Sequence, residues 1–518
     1  MGSETASDPL QQVFGLLALG IAYAVVGVVR QYWRLRHFKG PRTTGWSWWW
    51  HSRATVSGAS HKWYSDVNEQ YGPIARVAPN LLTTSDSELW MRMNAVRTPY
   101  TRAEWWYHAA RFVPGKDHIF SECDDESHNV RRKKMAAGYS GKETPTLEPS
   151  IDTHIKELIH LIRTKYASSA SSTKPTQPMD LASKIQYFTI DVISDIGTGQ
   201  PFGDLKADAD VNAYIEAIET GLRAGNKAFG FGTMWLRDVP IVGAAISPSE
   251  KDRKGNGRMM FEVRNVVEAR KAKSTTEKTD MLASFIRNGV LGDDLFHEIF
   301  EQILAGSDTT AGAIRITLLY IMSHPRVYKK LQAEIDEAVK SGIAPQAPEV
   351  ITDTGARRLP YLNAVVREGL RIHPPVVCLF PRIVPKEGDV VKINDEEVVI
   401  PGGTMVGYSA WSMHRRNKIV YGDDAEVFRP ERWIVDEEQP GESERLARMI
   451  RVNDMVFGQG KWACLGRSVA WMEIHKALFE LLRHFDLAIS RPFEPWTIWN
   501  SMGLWEIKDM LVDVTERI

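Results

Sequence analysis

The stretch FGQGKWACLG, residues 457–466, sets a cysteine among glycines and aromatic rings near the end of the chain. The chain has three cysteines in all, and the other two, Cys123 and Cys378, stand in unrelated surroundings. No CxxC pair and no Cys/His spacing marks a zinc site, and a disulfide has little support. Two readings of Cys464 remain. One is a small buried hydrophobe. The other is a thiolate ligand to a metal, in a loop whose glycines let backbone N–H groups approach the sulfur.

At 518 residues the chain has room for several domains, yet no internal repeat and no long linker divides it. Its residues are 43% hydrophobic and 25% charged, with a formal net charge of −1. The basic excess that nucleic acid demands is missing. Few cysteines and no Asn-x-Ser/Thr sequon agree with a reducing, cytosolic setting for the bulk of the chain. The 17 tryptophans are unusual and cluster in GWSWWW (45–50) and EWWY (104–107), as interfacial or pocket-lining surfaces do.

Residues 10–29, LQQVFGLLALGIAYAVVGVV, match the length of a bilayer core. Glu4 and Asp8 precede this run, while Arg30, Arg34, Arg36, Lys39 and Arg42 follow it. That asymmetry puts the following chain on the cytoplasmic side. It is also the reverse of a cleavable signal peptide. The expected order is therefore a short lumenal leader (1–9), a membrane anchor (10–29), a basic hinge (30–45) in which Gly40-Pro41 ends the helical stretch, and one large domain (46–518).

Helical periodicity dominates that domain, as in residues 151–166, 327–339 and 359–372. Strand-like text is short and local, at 75–84, 389–401 and the last residues. Two polar stretches, 168–178 and 271–280, read as surface loops. Residues 293–323 hold no proline and open on Asp293 and Asp294, which predicts a helix long enough to cross the whole domain. Its centre, AGSDTT (305–310), is poor helix text. The Thr309 hydroxyl can bond back to the Ala305 carbonyl and bend the helix. Gly306 reads either as a place where a ligand passes close to the backbone or as a plain packing glycine. Beside a thiolate-held iron, Asp308 and Thr309 form an acid–alcohol pair able to deliver protons at a metal site.

These features together resemble the microsomal cytochrome P-450 family, the haem-thiolate monooxygenases, over nearly the whole chain. FGQGKWACLG resembles its cysteine loop through Phe457, Gly460, Cys464 and Gly466. AGSDTT resembles its oxygen-binding groove. Glu368-Gly-Leu-Arg371 before His373-Pro374-Pro375 resembles its buried Glu-x-x-Arg helix. FRPERW (428–433) resembles the loop whose arginine, here Arg432, completes a triad with Glu368 and Arg371. Glu-x-x-Arg alone is weak, recurring from Glu250, Glu426, Glu442 and Glu480.

The resemblance implies a mainly α fold with small β-sheets and a haem b whose axial iron ligand is Cys464. It implies catalytic roles for Asp308 and Thr309, and haem contacts from Ala305, His128, Arg132 and Arg382, the last three toward the propionates. Trp462 stands where most members carry a propionate-binding Arg or His, an aromatic shared with filamentous-fungal, pisatin demethylase-like members. That departure leaves His128, Arg132 and Arg382 to neutralise the propionates, with Lys461 either a substitute or simply solvated. The implied activity is insertion of one oxygen atom of O2 into a lipophilic molecule, such as a polyketide, terpenoid or alkaloid intermediate. Electrons would come from NADPH through a membrane-bound reductase, with cytochrome b5 a further partner at the endoplasmic reticulum. Other readings are a detoxifying aromatic hydroxylase or demethylase, a reductase-independent haem-thiolate isomerase, and a haem binder without turnover. Family analogy lines the pocket with Trp105, Trp106, Tyr107, Phe112, Phe229, Phe231, Leu379, Phe380 and Leu504.

Overall fold

Thirty-one residues without a proline, Gly292–Met322, form the longest helix, with Asp293 and Asp294 in its positive first turn. The computed structural model describes residues 9–168, 177–252, 255–272, 279–393, 396–436 and 438–517. Most of the two stretches read as surface loops, and residues 1–8 of the leader, lie outside these residues. In chain order, the helices that position the site are α1 (Pro9–Arg34), α2 (Asp125–Tyr139), α3 (Leu181–Thr198), α4 (Gly292–Met322), α5 (Pro360–Ile372) and α6 (Arg467–His484). The expected amphipathic stretches are also helical, at Leu147–Lys165 and Pro325–Lys340. The first buries Ile151, Ile155, Leu158 and Ile162 along one stripe.

α4 runs through the interior and packs along α3, of which 15 residues are buried. A side chain on Gly306 would put its Cβ 2.6 Å from the Ile193 side chain. This glycine therefore exists for helix–helix contact with α3. Of the two readings of Gly306, this contact supports packing.

The largest sheet has five strands, β1 (Ile74–Ala78), β2 (Leu81–Thr84), β3 (Thr101–Arg102), β4 (Arg382–Ile383) and β5 (Met405–Tyr408), in the order β1-β2-β5-β4-β3. The β2–β5 pair is parallel and the other three are antiparallel. The expected strands at 389–401 form a hairpin, Asp389–Ile393 with Glu396–Ile400. The last residues join a three-stranded sheet as Leu511–Glu516. The architecture is mainly α with small β-sheets.

α1 holds a span, Val13–Arg34, with mean hydropathy 2.1 and none of its apolar window buried against the chain, so it is long and apolar enough to cross a membrane. The helix continues beyond residue 29, carrying Arg30 and Arg34 with it. The segment read as a hinge is docked on β1. Arg76, 2% exposed, donates to the carbonyls of Gln31, Tyr32, Gly45 and Pro79. The Arg76 amide bonds Lys39 O at 2.8 Å, and a Cβ on Gly40 would lie 2.1 Å from Arg76 O. Gly40 is required there by close contact.

Candidate active site

The cysteine loop leads straight into α6. The Cys464 amide donates to Phe457 O at 2.7 Å, and the Phe457 ring packs on Trp471 of α6, with ring centroids 5.9 Å apart. Gly458 and Gly460 have φ of +69° and +60°, which glycine adopts without strain. A Cβ on Gly460 would meet Asn94 O at 1.8 Å, whereas one on Gly466 would make only ordinary contacts at 3.9 Å. The two glycines of the motif thus have different reasons. Gly460 lets a neighbouring carbonyl in, and Gly466 offers its amide to the sulfur.

All three cysteines are free. The Cys464 thiol is surrounded by protein yet keeps accessible surface, so it faces an internal space. Burial pushes its pKa up. The amides of Gly466 and Arg467 and the charges of Arg132 and Arg467 favour the thiolate.

α4 shows the same mixed character at its middle. Ala305 is exposed although it lies mid-helix, between half-buried Leu304 and Gly306. Glu301, Ala305 and Thr309, spaced by four, share one face. The Thr309 hydroxyl donates to Ala305 O at 2.7 Å, the local back-bond expected from sequence. Asp308 is held on the α3 side, where Gln186 Nε2 donates to its Oδ1 at 2.5 Å and Arg315 in turn donates to Gln186 Oε1 at 2.6 Å. Burial raises the Asp308 pKa to about 6, against the opposing pull of Arg315 and of the Gln186 hydrogen bond. Ser307 points elsewhere, to the Tyr214 hydroxyl at 3.0 Å.

A buried basic cluster lies beside the loop. Arg102 and Arg382 stand directly opposite one another in the β3–β4 pair, 6% and 4% exposed. Like charges in that register repel. Neither forms an ion pair with a carboxylate among the described residues, and nor does Arg132. Arg382 lies over the Trp462 ring at 4.1 Å, with Arg102 5.9 Å from the same ring. Arg382 donates to Asn94 Oδ1 at 3.0 Å, to Phe380 O and to the Tyr107 hydroxyl. Arg132 donates to Ala463 O at 2.5 Å. His128 is buried, and desolvation with the charges of Arg102 and Arg132 drives its pKa down to about 3. Desolvation first, and then the charge of Arg382, also pulls Arg102 down to about 10. Three buried polar atoms here have no hydrogen-bond partner: His128 Nδ1, Arg102 Nε and Trp462 Nε1.

Uncompensated buried guanidiniums and orphaned nitrogens beside an accessible thiol are costly unless an anion completes them. A haem fits this donor set. Cys464 could hold its iron, and the basic cluster of Arg102, Arg132 and Arg382 could take its two propionates. Sequence reading missed Arg102, which sits on a two-residue strand whose partner is distant in the chain. Of the two readings of Lys461, the solvated one fails, since the side chain is 9% exposed and paired with Asp125 at 2.5 Å.

The Glu-x-x-Arg copy on α5 is closed into a triad. Arg371 grips Glu368 through two bonds of 2.8 Å, and Arg432 Nε donates to Glu368 Oε1 at 3.0 Å. The side chains of all three are fully buried. Trp433 Nε1 and the Arg429 amide complete the carboxylate at 2.9 and 2.7 Å. By contrast, Glu442–Arg445 is a half-exposed surface pair.

The expected pocket lining is sorted by the structure. Trp106, Tyr107, Phe229, Cys378 and Phe380 pack together with Phe120 and Met502. Phe112 stacks on His118 nearby. Phe231 is 69% exposed and lines nothing internal, and Leu379 belongs to the core under β1 and β2. Trp105 packs outward against Trp48 and Phe229.

Known proteins agree with this geometry. The family model described as Cytochrome P450 matches residues 40–511. Cytochrome P450 monooxygenase ABA1 of Pyricularia oryzae is 37% identical over 517 residues, covering 97% of each chain. Cytochrome P450 monooxygenase aba1 of Botryotinia fuckeliana is 36% identical over 473 residues, covering 90% of this chain and 89% of the relative. Cytochrome P450 monooxygenase abl1 of Leptosphaeria maculans is 31% identical over 512 residues, or 97% and 86% of the two chains. With its thiol loop, its buried acid–arginine triad and these matches, the chain belongs to the cytochrome P450 monooxygenase family.

Proposed function

We propose that this protein inserts one oxygen atom of O2 into a lipophilic small molecule of filamentous-fungal secondary metabolism. Its electrons come from NADPH through a partner reductase. The observation that carries the reading is the accessible Cys464 thiol beside buried, uncompensated basic groups. Cys464 would hold the iron, and Arg102, His128, Arg132, Arg382 and the Trp462 N–H would hold the propionates. Thiolate-ligated haem supplies the oxygen-activating chemistry when bound, because electron donation from the thiolate favours O–O cleavage.

The chain's own residues supply protons and exclude water. Thr309 carries a hydroxyl on the face of α4 that bears Ala305. Asp308 is the acid adjacent to it in the chain, and to serve as proton source it must release Gln186 and turn toward that face. The aromatic cluster around Trp106, Phe120 and Phe380 makes the site apolar, which suits a lipophilic substrate.

On the outer side of the cysteine loop, Arg357, Arg367 and Arg467 line a cleft of about 360 Å³. This is the face we assign to the reductase. α1 anchors the chain in the endoplasmic reticulum membrane, with the body cytosolic. The test is to supply the protein with reductase, NADPH and isotopically labelled dioxygen in extracts of a host lacking its own copy. One labelled oxygen atom in a product, dependent on NADPH, supports the reading. A product formed from peroxide without reductase contradicts it.

A further inference from the structure

Glu301 lies one turn before Ala305 on the same face of α4, and neither the triad nor the proton relay uses it. Its carboxylate lies 3.5 Å from His118 Nδ1, and it makes no hydrogen bond to protein among the described residues. The preceding acid on this helix, Glu298, is fully engaged by Arg131 at 3.0 Å and the Ile119 amide at 3.1 Å. Glu301 is different. Its side chain is 15% exposed although enclosed by protein.

His118 fixes the polarity of the pair. The ring is wholly buried, stacked on Phe112 with centroids 4.6 Å apart, and its Nε2–H donates to Ala110 O at 3.2 Å. Nδ1 therefore presents a lone pair toward Glu301, and this buried atom has no hydrogen-bond partner. Burial holds His118 down to about 3, so it stays neutral. Burial raises Glu301 well above the carboxylate range, and the charge of Glu298 adds to this while Arg102 opposes it. A neutral carboxyl offers one O–H donor and one carbonyl acceptor.

We propose that Glu301, oriented by His118, is the polar anchor of the substrate pocket. It recognises an uncharged hydroxyl on an otherwise apolar substrate, through the acceptor oxygen that His118 leaves free. The inference rests on the substrate-pocket reading above. Four residues of helix rise by about 6 Å. The recognised oxygen therefore sits roughly that far along the helix from the part of the substrate beside Ala305. Of the aromatic cluster, Phe120 and Phe380 offer only apolar surface, and Trp106 adds a single indole N–H.

The test uses purified, haem-loaded full chain and three matched series of probes that ligate iron through a common head. These are 1-alkylimidazoles, their terminal hydroxyl counterparts and their terminal ammonium counterparts, with tails of three to six heavy atoms. Affinity is read from the Soret shift. One hydroxyl probe should bind about tenfold more tightly than its alkyl match. Glu301→Leu should erase that preference while leaving the thiolate signature of the reduced CO spectrum intact, and Glu301→Gln should keep most of it. Equal affinities of the hydroxyl and alkyl probes in the wild type would overturn the proposal, with no dependence on whether a variant folds. So would a preference that survives Glu301→Leu, or tightest binding by the ammonium series. If no probe shifts the Soret band and no thiolate spectrum forms, the haem-thiolate reading fails, and this proposal with it.

Discussion

Asp308 carries the clearest pH dependence. Its folded pKa of about 6 lies above the unfolded value of 3.8, so ionisation costs the folded state. That cost appears above pH 4, grows until pH passes about 6, and then levels off, reaching up to about 3 kcal/mol. Asp308→Asn should therefore gain stability over the wild type as pH rises through this window, measured by denaturant unfolding at several pH values. A constant difference would contradict the assigned environment. As a proton source the same group is active when protonated, so turnover should fall as pH rises past about 6. Asp308→Asn should lower kcat by about 100-fold or more and remove that inflection. Glu368 makes a different kind of claim. Replacing it with Gln leaves Arg371 and Arg432 buried without a counter-charge, and should cost about 3–5 kcal/mol in stability. Arg102 and Arg382 are assigned to anion binding, so either one changed to Leu should speed haem loss to an acceptor apoprotein by about tenfold or more. An unchanged rate would remove that residue from the propionate site.

Between elements, the tightest constraint is the α3–α4 contact. Gly306→Ala drives a methyl into Ile193 and should cost about 1–3 kcal/mol, with Ile193→Val in the same chain recovering part of it. No recovery would mean that the glycine serves something other than this packing. The element scale also shows where sequence text ends. The length of α4, its Thr309 back-bond and the singular status of the Glu368 helix were legible, because each is written in neighbouring residues. The purpose of Gly306 was not, since Ile193 lies on another helix. Arg102 was invisible for the same reason. Its meaning comes from standing opposite Arg382 in a two-residue strand pair, and no local periodicity marks so short a strand. Trp462 was read as a missing basic residue, but in the fold its ring is the surface between two arginines.

For the whole molecule, the apolar span and the body are separable at one point only. Residues 31–45 are bonded to β1 and its neighbours, including Gln31 to Asn80 at 2.7 Å and Arg34 to Gly402 O at 2.6 Å. A chain beginning at residue 30 should lose membrane association and keep its thermal midpoint. One beginning at residue 46 should strip buried Arg76 of three carbonyl partners, on Gln31, Tyr32 and Gly45, and unfold several degrees lower. Equal midpoints would show that the docked segment contributes nothing. The central claim, that Cys464 holds a haem iron in this fold, is tested most directly by the reduced CO difference spectrum of the purified full chain beside its Cys464→Ser variant. The account predicts the thiolate-ligated Soret position in the wild type and its loss in the variant. The same spectrum in both proteins, or none in a folded wild type reconstituted with haem, would contradict it.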